Sequence, residues 1–530
     1  MILRLVFLTA LIVLATSGCG RREPADPLSL LPENAMLSVV VTQPVFAVRN
    51  IDGYVASGAP FLGSGLVENE VAKYLGVLDL EDVSSIGIDP QGSIVFWMES
   101  MMPQSMAMAV SITDFPLFLA QLEKLGLQFQ PGQAVDNLTV FQAASDNGTI
   151  YAAESRGVAL LSMNRSKLSA MSQALDSKPQ VDVEPGSILF SLNIGMIGPM
   201  AASQLPMIAQ SIPMDSEIPG FAGDLMNLYF DAAVVFLNQT QRYDMRIVFG
   251  PDNIAFVQSM HFKEGSDLAR LFVTPSNPSL LGRIPAGDVM SAQVKLPVEL
   301  TTLVMEKVYG AMGFDVDPHL IQVWGEMSGC GAMSFFSEGI MSFLVVYEMP
   351  SGADLESMSR MIMEMAGEAQ AILPPEMVGM VGYSPLESIE IRGVDFVNTS
   401  LNLVIPGEDG EEPEPLEISY WFAAHDGLFM VETGDEPSRI LQVVSGDFTP
   451  ASEIEGLYED GLMSYAMEVG GYLNMFNQFS PEEVPLPADL PVLWVTGDVQ
   501  GGNGVVTSSS MVSGSALVRL IGSVAMAQDL

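Results

Sequence analysis

The sequence predicts an α+β fold in two tandem repeated domains, each an antiparallel sheet meander with helices packed on it. Three observations carry this expectation. From Met106 to Thr113 large and small residues alternate, the period-2 pattern of a strand with one crowded face, and a helix follows in which Phe115, Phe118, Leu119, Leu122 and Leu125 recur at helical spacing. Between Leu138 and Met163 three short apolar runs are separated by Asn-Gly and Arg-Gly turns, which reads as a meander. The pattern then returns near Gly329 to Gly367, with Phe343, Val345 and Tyr347 on a strand and Leu355, Met358, Ile362 and Met365 on a helix that Gly367 would end. A chain of 530 residues exceeds what one core fills, and two copies divide it into domains of 31–280 and 281–530.

Taken in order, the first domain opens with Leu31-Pro32-Glu33-Asn34-Ala35 and a strand over Met36–Thr42, followed by a helical region to Gly76. Asp114 caps the helix after the alternating strand, Pro116 fits its first turn and Gly126 stops it. After the meander comes a helix over Ser166–Leu175, then a strand over Ile188–Asn193. The uncharged stretch Ser187–Ser211 has membrane-like length, but Pro199 and Pro206 argue for a buried strand and a broken helix. Strands are expected near Phe230–Leu237, Tyr243–Phe249 and Ile254–Met260, with a helix over Ser266–Phe272.

The Pro-rich break Pro275–Pro278 precedes the restart. Ile284-Pro285-Ala286-Gly287-Asp288 echoes the first opening, Lys307–Gly310 echoes Lys73–Gly76, and Tyr420–Gly427 echoes Tyr151–Gly157. The insertion Pro406–Pro415 reads as an acidic hairpin tip, and Pro491–Ile521 repeats a strands-then-helix ending.

Composition excludes several functions. With 64 acidic against 21 basic residues and a net charge of −43, phosphate backbones are repelled, and no basic cluster exists beyond Arg21 and Arg22. Nucleic acid is therefore excluded as a partner, as is adhesion by charge to an anionic membrane surface. The acidity keeps an apolar-rich chain soluble.

The N-terminus pairs the short basic start Met1–Arg4 with the apolar run Leu5–Ala15 and the small-residue site Thr16-Ser17-Gly18-Cys19. This resembles a bacterial lipoprotein signal, residues 1–19, with Thr16 standing where Leu is usual. The resemblance implies cleavage before Cys19, acylation of that residue by chains such as palmitate, and attachment to the membrane through it. Gly20 stands where an inner-membrane retention signal has Asp, so the resemblance implies the outer membrane, facing the periplasm. Residues 20–30, beginning GRREPADP, form a tether. With Cys19 acylated, Cys330 has no disulfide partner and reads as a small buried hydrophobe.

The stretches LPENA, IGIDPQGSIVFW, TDFPLFLAQLEKLG and YAAESRGVALLS together resemble a family of bacterial exported proteins defined only as a domain of unknown function. Its members open LPADT and carry an lGlDP motif. The similarity covers Leu31 to about Leu175 best, and it brings no catalytic residues.

Candidate chemistry is sparse. The three histidines, His261, His319 and His425, have no G-x-S-x-G elbow to serve, and Cys330 falls in a core strand. Asp315, Asp317 and His319 alternate and could share one side of an extended metal site; the competing reading makes Asp317 a helix cap ahead of Pro318. Met98, Met101, Met102, Met106 and Met108 could offer thioethers to Cu(I), or simply fill a core. Glu408, Asp409, Glu411, Glu412 and Glu414 lack EF-hand spacing and read as solvated. The expectation is a lipid-anchored, non-enzymatic envelope protein with a binding or scaffold role and no cofactor, its partner being a hydrophobic ligand or another envelope protein. A carrier of lipids is the alternative, and a hydrolase with an unrecognised site the third.

Overall fold

The computed structural model describes residues 25–58, 64–77, 79–146, 148–179, 181, 183–211, 220–250, 253–311, 318–338, 342–350, 352–371, 380–405, 414–477 and 494–513. Helix and strand are mixed, with a large antiparallel sheet. The chain divides into two compact units, one of Met1–Gly198, Thr240–His261 and Met511–Leu530, the other of Pro199–Gln239 and Phe262–Ser510.

In the first unit the strands are β1 (Leu37–Thr42), β2 (Ser93–Met98), β3 (Met106–Ser111), β4 (Gln130–Pro131), β5 (Val140–Ser145), β6 (Gly148–Ser155), β7 (Val158–Ser162), β8 (Ser187–Leu192), β9 (Thr240–Phe249) and β10 (Asn253–Phe262). They lie in the order 4-5-6-7-3-2-1-8-9-10. One register line crosses four strands, with Ser38 opposite Trp97 on one side and Ser191 on the other, and Ser191 opposite Asp244. Helices α1 (Pro44–Gly58), α2 (Leu66–Leu75), α3 (Phe115–Lys124) and α4 (Lys167–Ala174) complete the unit.

Both faces of this sheet are covered. Val110, Ile112, Phe115 and Phe118 pack with Leu75 on one side, while Ala107, Ala109, Trp97 and Leu160 pack with Leu28, Leu168 and Met171 on the other. The small residues of β3 therefore do not face open space as the one-face pattern implied; they admit a second layer close to the sheet. Helix α3 matches expectation in detail. Asp114 accepts the backbone N–H of Leu117 at 2.9 Å, Pro116 lies in the first turn, and Phe115, Phe118, Leu119 and Leu122 are buried.

The second unit contains β11 (Met290–Lys295), β12 (Cys330–Phe336), β13 (Ser342–Glu348), β14 (Val381–Tyr383), β15 (Glu387–Ile391), β16 (Val394–Ile405), β17 (Glu414–His425), β18 (Leu428–Thr433), β19 (Met463–Glu468), β20 (Trp494–Gly502) and β21 (Val505–Ser513). Antiparallel pairing gives the order 15-16-17-18-13-12-11-19-20, with β14 also on β16. Helix α5 (Ile194–Ser211) follows β8, and α6 (Gly220–Gln239), α7 (Asp267–Leu271), α8 (Val298–Ala311), α9 (Pro318–Ser328), α10 (Leu355–Ala371), α11 (Ser438–Ser445) and α12 (Val469–Asn477) complete the described helices.

Four readings of the sequence need correction. Phe230–Leu237 is not a strand but part of α6, because an apolar run of mixed β-branched and helix-forming residues fits either period and length decides for the helix. Pro199 and Pro206 lie inside α5 without ending it, each removing one N–H from the helix ladder while the bonds on either side keep the helix continuous. Helix α10 runs past Gly367 to Ala371. Lys73 falls in the last turn of the second helix of its pair, whereas Lys307 lies in α8, the first of the pair α8–α9, so that echo does not match equivalent positions. Among the described residues no helix is long and apolar enough to cross a membrane.

Candidate functional site

The residues singled out in the sequence are scattered. Cys19, Asp315 and Asp317 lie outside the described residues, as do 406–413 of the acidic insertion, and His319 is described only by its place in the first turn of α9. Among the described residues no group of three or more His, Cys, Asp or Glu side chains could hold a metal ion. His425 is exposed at the end of β17. Met98, with Met36 and Phe96, forms a small cluster against which Met106 and Met108 pack, while Met101 and Met102 are 63% and 66% exposed. Cys330 is 1% exposed, and burial and the charge of Glu348 push its thiol up to about 11.

Each unit has a cavity among its described residues. The second unit's cavity, 310 Å³, lies between the sheet and α8, with Val294, Gly331, Met333, Val345 and Tyr347 as floor and Val304 and Met305 as wall. Register explains the floor, since Val294, Gly331 and Tyr347 face one another across β11, β12 and β13, and Gly331 supplies the depression. A Cβ there would sit 2.9 Å from the Tyr347 ring. Thr301 also lines it, but its hydroxyl is spent on the carbonyls of Val298 and Gly325, each at 3.0 Å. Tyr347 is held above the ordinary tyrosine range by burial. Val304 is 48% exposed while lining the cavity, so the space opens beside it.

The first unit's cavity, 330 Å³, has a mixed lining, with Leu31, Pro32, Ala35 and Val181 as its apolar part. It is lined by Ser38 on β1, Ser191 on β8, Arg242 on β9 and Asn193, with the segment Leu31–Glu33 closing it. Arg242 donates from Nε to Asp244 Oδ1 at 2.6 Å and from Nη2 to Ser191 Oγ at 3.1 Å. The other oxygen of Asp244 meets His261 Nε2 at 3.1 Å. Burial raises the Asp244 pKa, but hydrogen bonds from His261, Ser191 and Arg242 and the charge of Arg242 outweigh it, and the carboxyl is held below its ordinary range. Ser191 and His261 both bond Asp244 rather than each other, which is not the relay a serine nucleophile requires.

His261 was considered in the sequence only as a catalytic base, and Arg242 and Asp244 were missed. Their signal was present, since Arg242, Asp244 and Arg246 alternate and so share one face of a strand in a chain poor in cations. The apolar cavity left no such signal, because its lining residues read as ordinary core.

No family model matches the chain, and no curated protein matches it. It is similar to solved structures described as crystal form I and crystal form III of TP0453. The first is 10% identical with a TM-score of 0.23, covering 46% of this chain and 82% of that one. The other is 9% identical with a TM-score of 0.24 over the same shares of both chains, 46% and 82%. TM-scores this low establish neither fold nor function.

Proposed function

We propose that this chain is an exported, lipid-anchored, non-enzymatic binding protein of the outer membrane, built from two copies of one α+β unit, and that it takes a hydrophobic ligand in the apolar cavity of its second unit. The duplication reading is supported by order and register together. Strands 5-6-7-3-2-1-8-9 of the first unit answer to 16-17-18-13-12-11-19-20 of the second. Ser38 and Ser291 hold the same position in both, the second lying opposite Ser334 and Ala466. The turns Arg156-Gly157 and Asp426-Gly427 share left-handed backbone, with φ of 56° and 76° in the first and 49° and 73° in the second. Membrane attachment rests on the lipoprotein-like sequence ending at Cys19.

One observation carries the ligand class. A space of 310 Å³ walled by aliphatic side chains, Met305, Met333 and the Tyr347 ring, with the Thr301 hydroxyl already bonded, offers chiefly apolar burial. It falls at the small end of ligand pockets, about 300–1,000 Å³. Such a space favours a carrier of acyl chains or similar groups over a purely scaffolding protein. Titration of the full chain in mild detergent with a fluorescent fatty acid tests this. Saturable binding that Val304→Trp weakens by about tenfold or more is the expected result, since the indole fills space where apolar contact is made. Absence of saturable binding, or equal binding by the variant, overturns it.

A further inference from the structure

The cavity of the first unit lies apart from any chemistry assigned above, and its donors converge. We infer that it is a binding site for a small ligand bearing an oxyanion, carboxylate or phosphate, received by the guanidinium of Arg242 with Ser38 and Asn193 beside it.

The guanidinium is fixed before any ligand arrives. Nε is held on Asp244 at 2.6 Å and Nη2 on Ser191 at 3.1 Å, so the planar group is locked against the sheet. A guanidinium has five N–H donors in a rigid fork, and these two bonds leave three of them for a ligand in the cavity that Arg242 lines. The second oxygen of Asp244 is engaged by His261 at 3.1 Å. Asn193 adds to the set. Its Oδ1 accepts the backbone N–H of Met196 at 3.2 Å at the start of α5, and its amide group carries two N–H donors. Ser38, 2% exposed, brings a hydroxyl to the same wall. The lining is therefore rich in donors, with the Glu33 carboxylate, on an exposed residue, as the opposing charge.

In a chain of net charge −43 this arginine lines a 330 Å³ space together with Ser38, Ser191 and Asn193. Charge-assisted hydrogen bonds to an oxyanion are the interaction this arrangement makes strongest. Partial neutralisation by Asp244 implies modest affinity.

Calorimetric titration of the detergent-solubilised full chain with succinate and, separately, with inorganic phosphate tests the site. The expected result is saturable binding of one probe at least, which identifies the oxyanion. Arg242→Gln should weaken it by about tenfold or more, Arg242→Lys by less, and Glu33→Gln should tighten it by removing a repulsion. Ala35→Leu, which narrows the cavity by three carbons and leaves every charge in place, should weaken binding with the circular dichroism unchanged; it decides the matter if Arg242→Gln does not fold. Binding of neither probe to the wild type, or binding by Ala35→Leu equal to that of the wild type, overturns the assignment.

Discussion

The carboxylate of Glu432 accepts the backbone N–H of Ile440 at 2.8 Å through Oε2. Its Oε1 accepts that of Arg439 at 2.9 Å, so one buried side chain on β18 anchors the first turn of α11. Only 2% of Glu432 is exposed. Burial raises its pKa from 4.5 to about 7, against the opposing pull of the Ile440 and Arg439 hydrogen bonds and the Arg439 charge.

A folded-state pKa above the unfolded value means that the folded protein holds this proton more tightly. The contribution to stability is complete below about pH 4.5 and is lost as pH rises through about 7. Glu432→Gln has no proton to lose. Relative to that variant, the wild type should decline by up to about 3 kcal/mol between pH 5 and pH 8, read as a widening difference in thermal midpoint. A difference that stays constant across this range would show that the helix terminus already holds the charged form.

Gly87 makes a second point of leverage. Its φ is +83°, and a Cβ there would lie 2.1 Å from the Asp114 carbonyl and 2.6 Å from the Phe118 nitrogen, backbone atoms that cannot swing away. Its own carbonyl receives the N–H of Thr113 at 3.0 Å and of Asp114 at 3.3 Å. The glycine of the IGIDP stretch is thus the seat on which α3 starts. Gly87→Ala should cost about 2–5 kcal/mol, combining left-handed strain with overpacking. Gly393→Ala, at φ +79° with nothing within 4 Å, should cost only the strain, about 1–2 kcal/mol. Denaturant midpoints of the two variants check this, and equal losses would mean that the contact at Gly87 relaxes freely.

Elements whose signal is local were legible in the sequence. Asp114, Pro116 and the phenylalanines of α3 fix that helix by cap and period, and Arg156-Gly157 fixes the β6–β7 turn by its need for left-handed backbone. Elements that depend on tertiary context were not. Nothing between Phe230 and Leu237 separates a strand from a helix, and nothing in Met106–Ser111 reveals that Ala107 and Ala109 meet a second layer carried by Leu28 and Leu168. The cavities belong to this second kind, since Gly331 becomes a floor only when β11 and β13 bring Val294 and Tyr347 beside it.

Thiol chemistry tests the anchor and the core at once, because the sequence has two cysteines with opposite expected fates. Cys330 is enclosed at the start of β12, with its sulfur 3.8 Å from the Pro278 carbonyl and its pKa near 11, so it presents neither access nor thiolate at neutral pH. Cys19, if acylated as the lipoprotein-like leader implies, has no thiol to react. Protein extracted from its native membrane should therefore show no reaction with an aromatic disulfide reagent while folded, and one equivalent when unfolded in guanidinium. Cys330→Ser should reduce that count to zero without changing membrane attachment. A second equivalent on unfolding, or a fast equivalent in the folded state that Cys19→Ser removes, would mean that Cys19 carries a free thiol and that the protein is held at the membrane by something else.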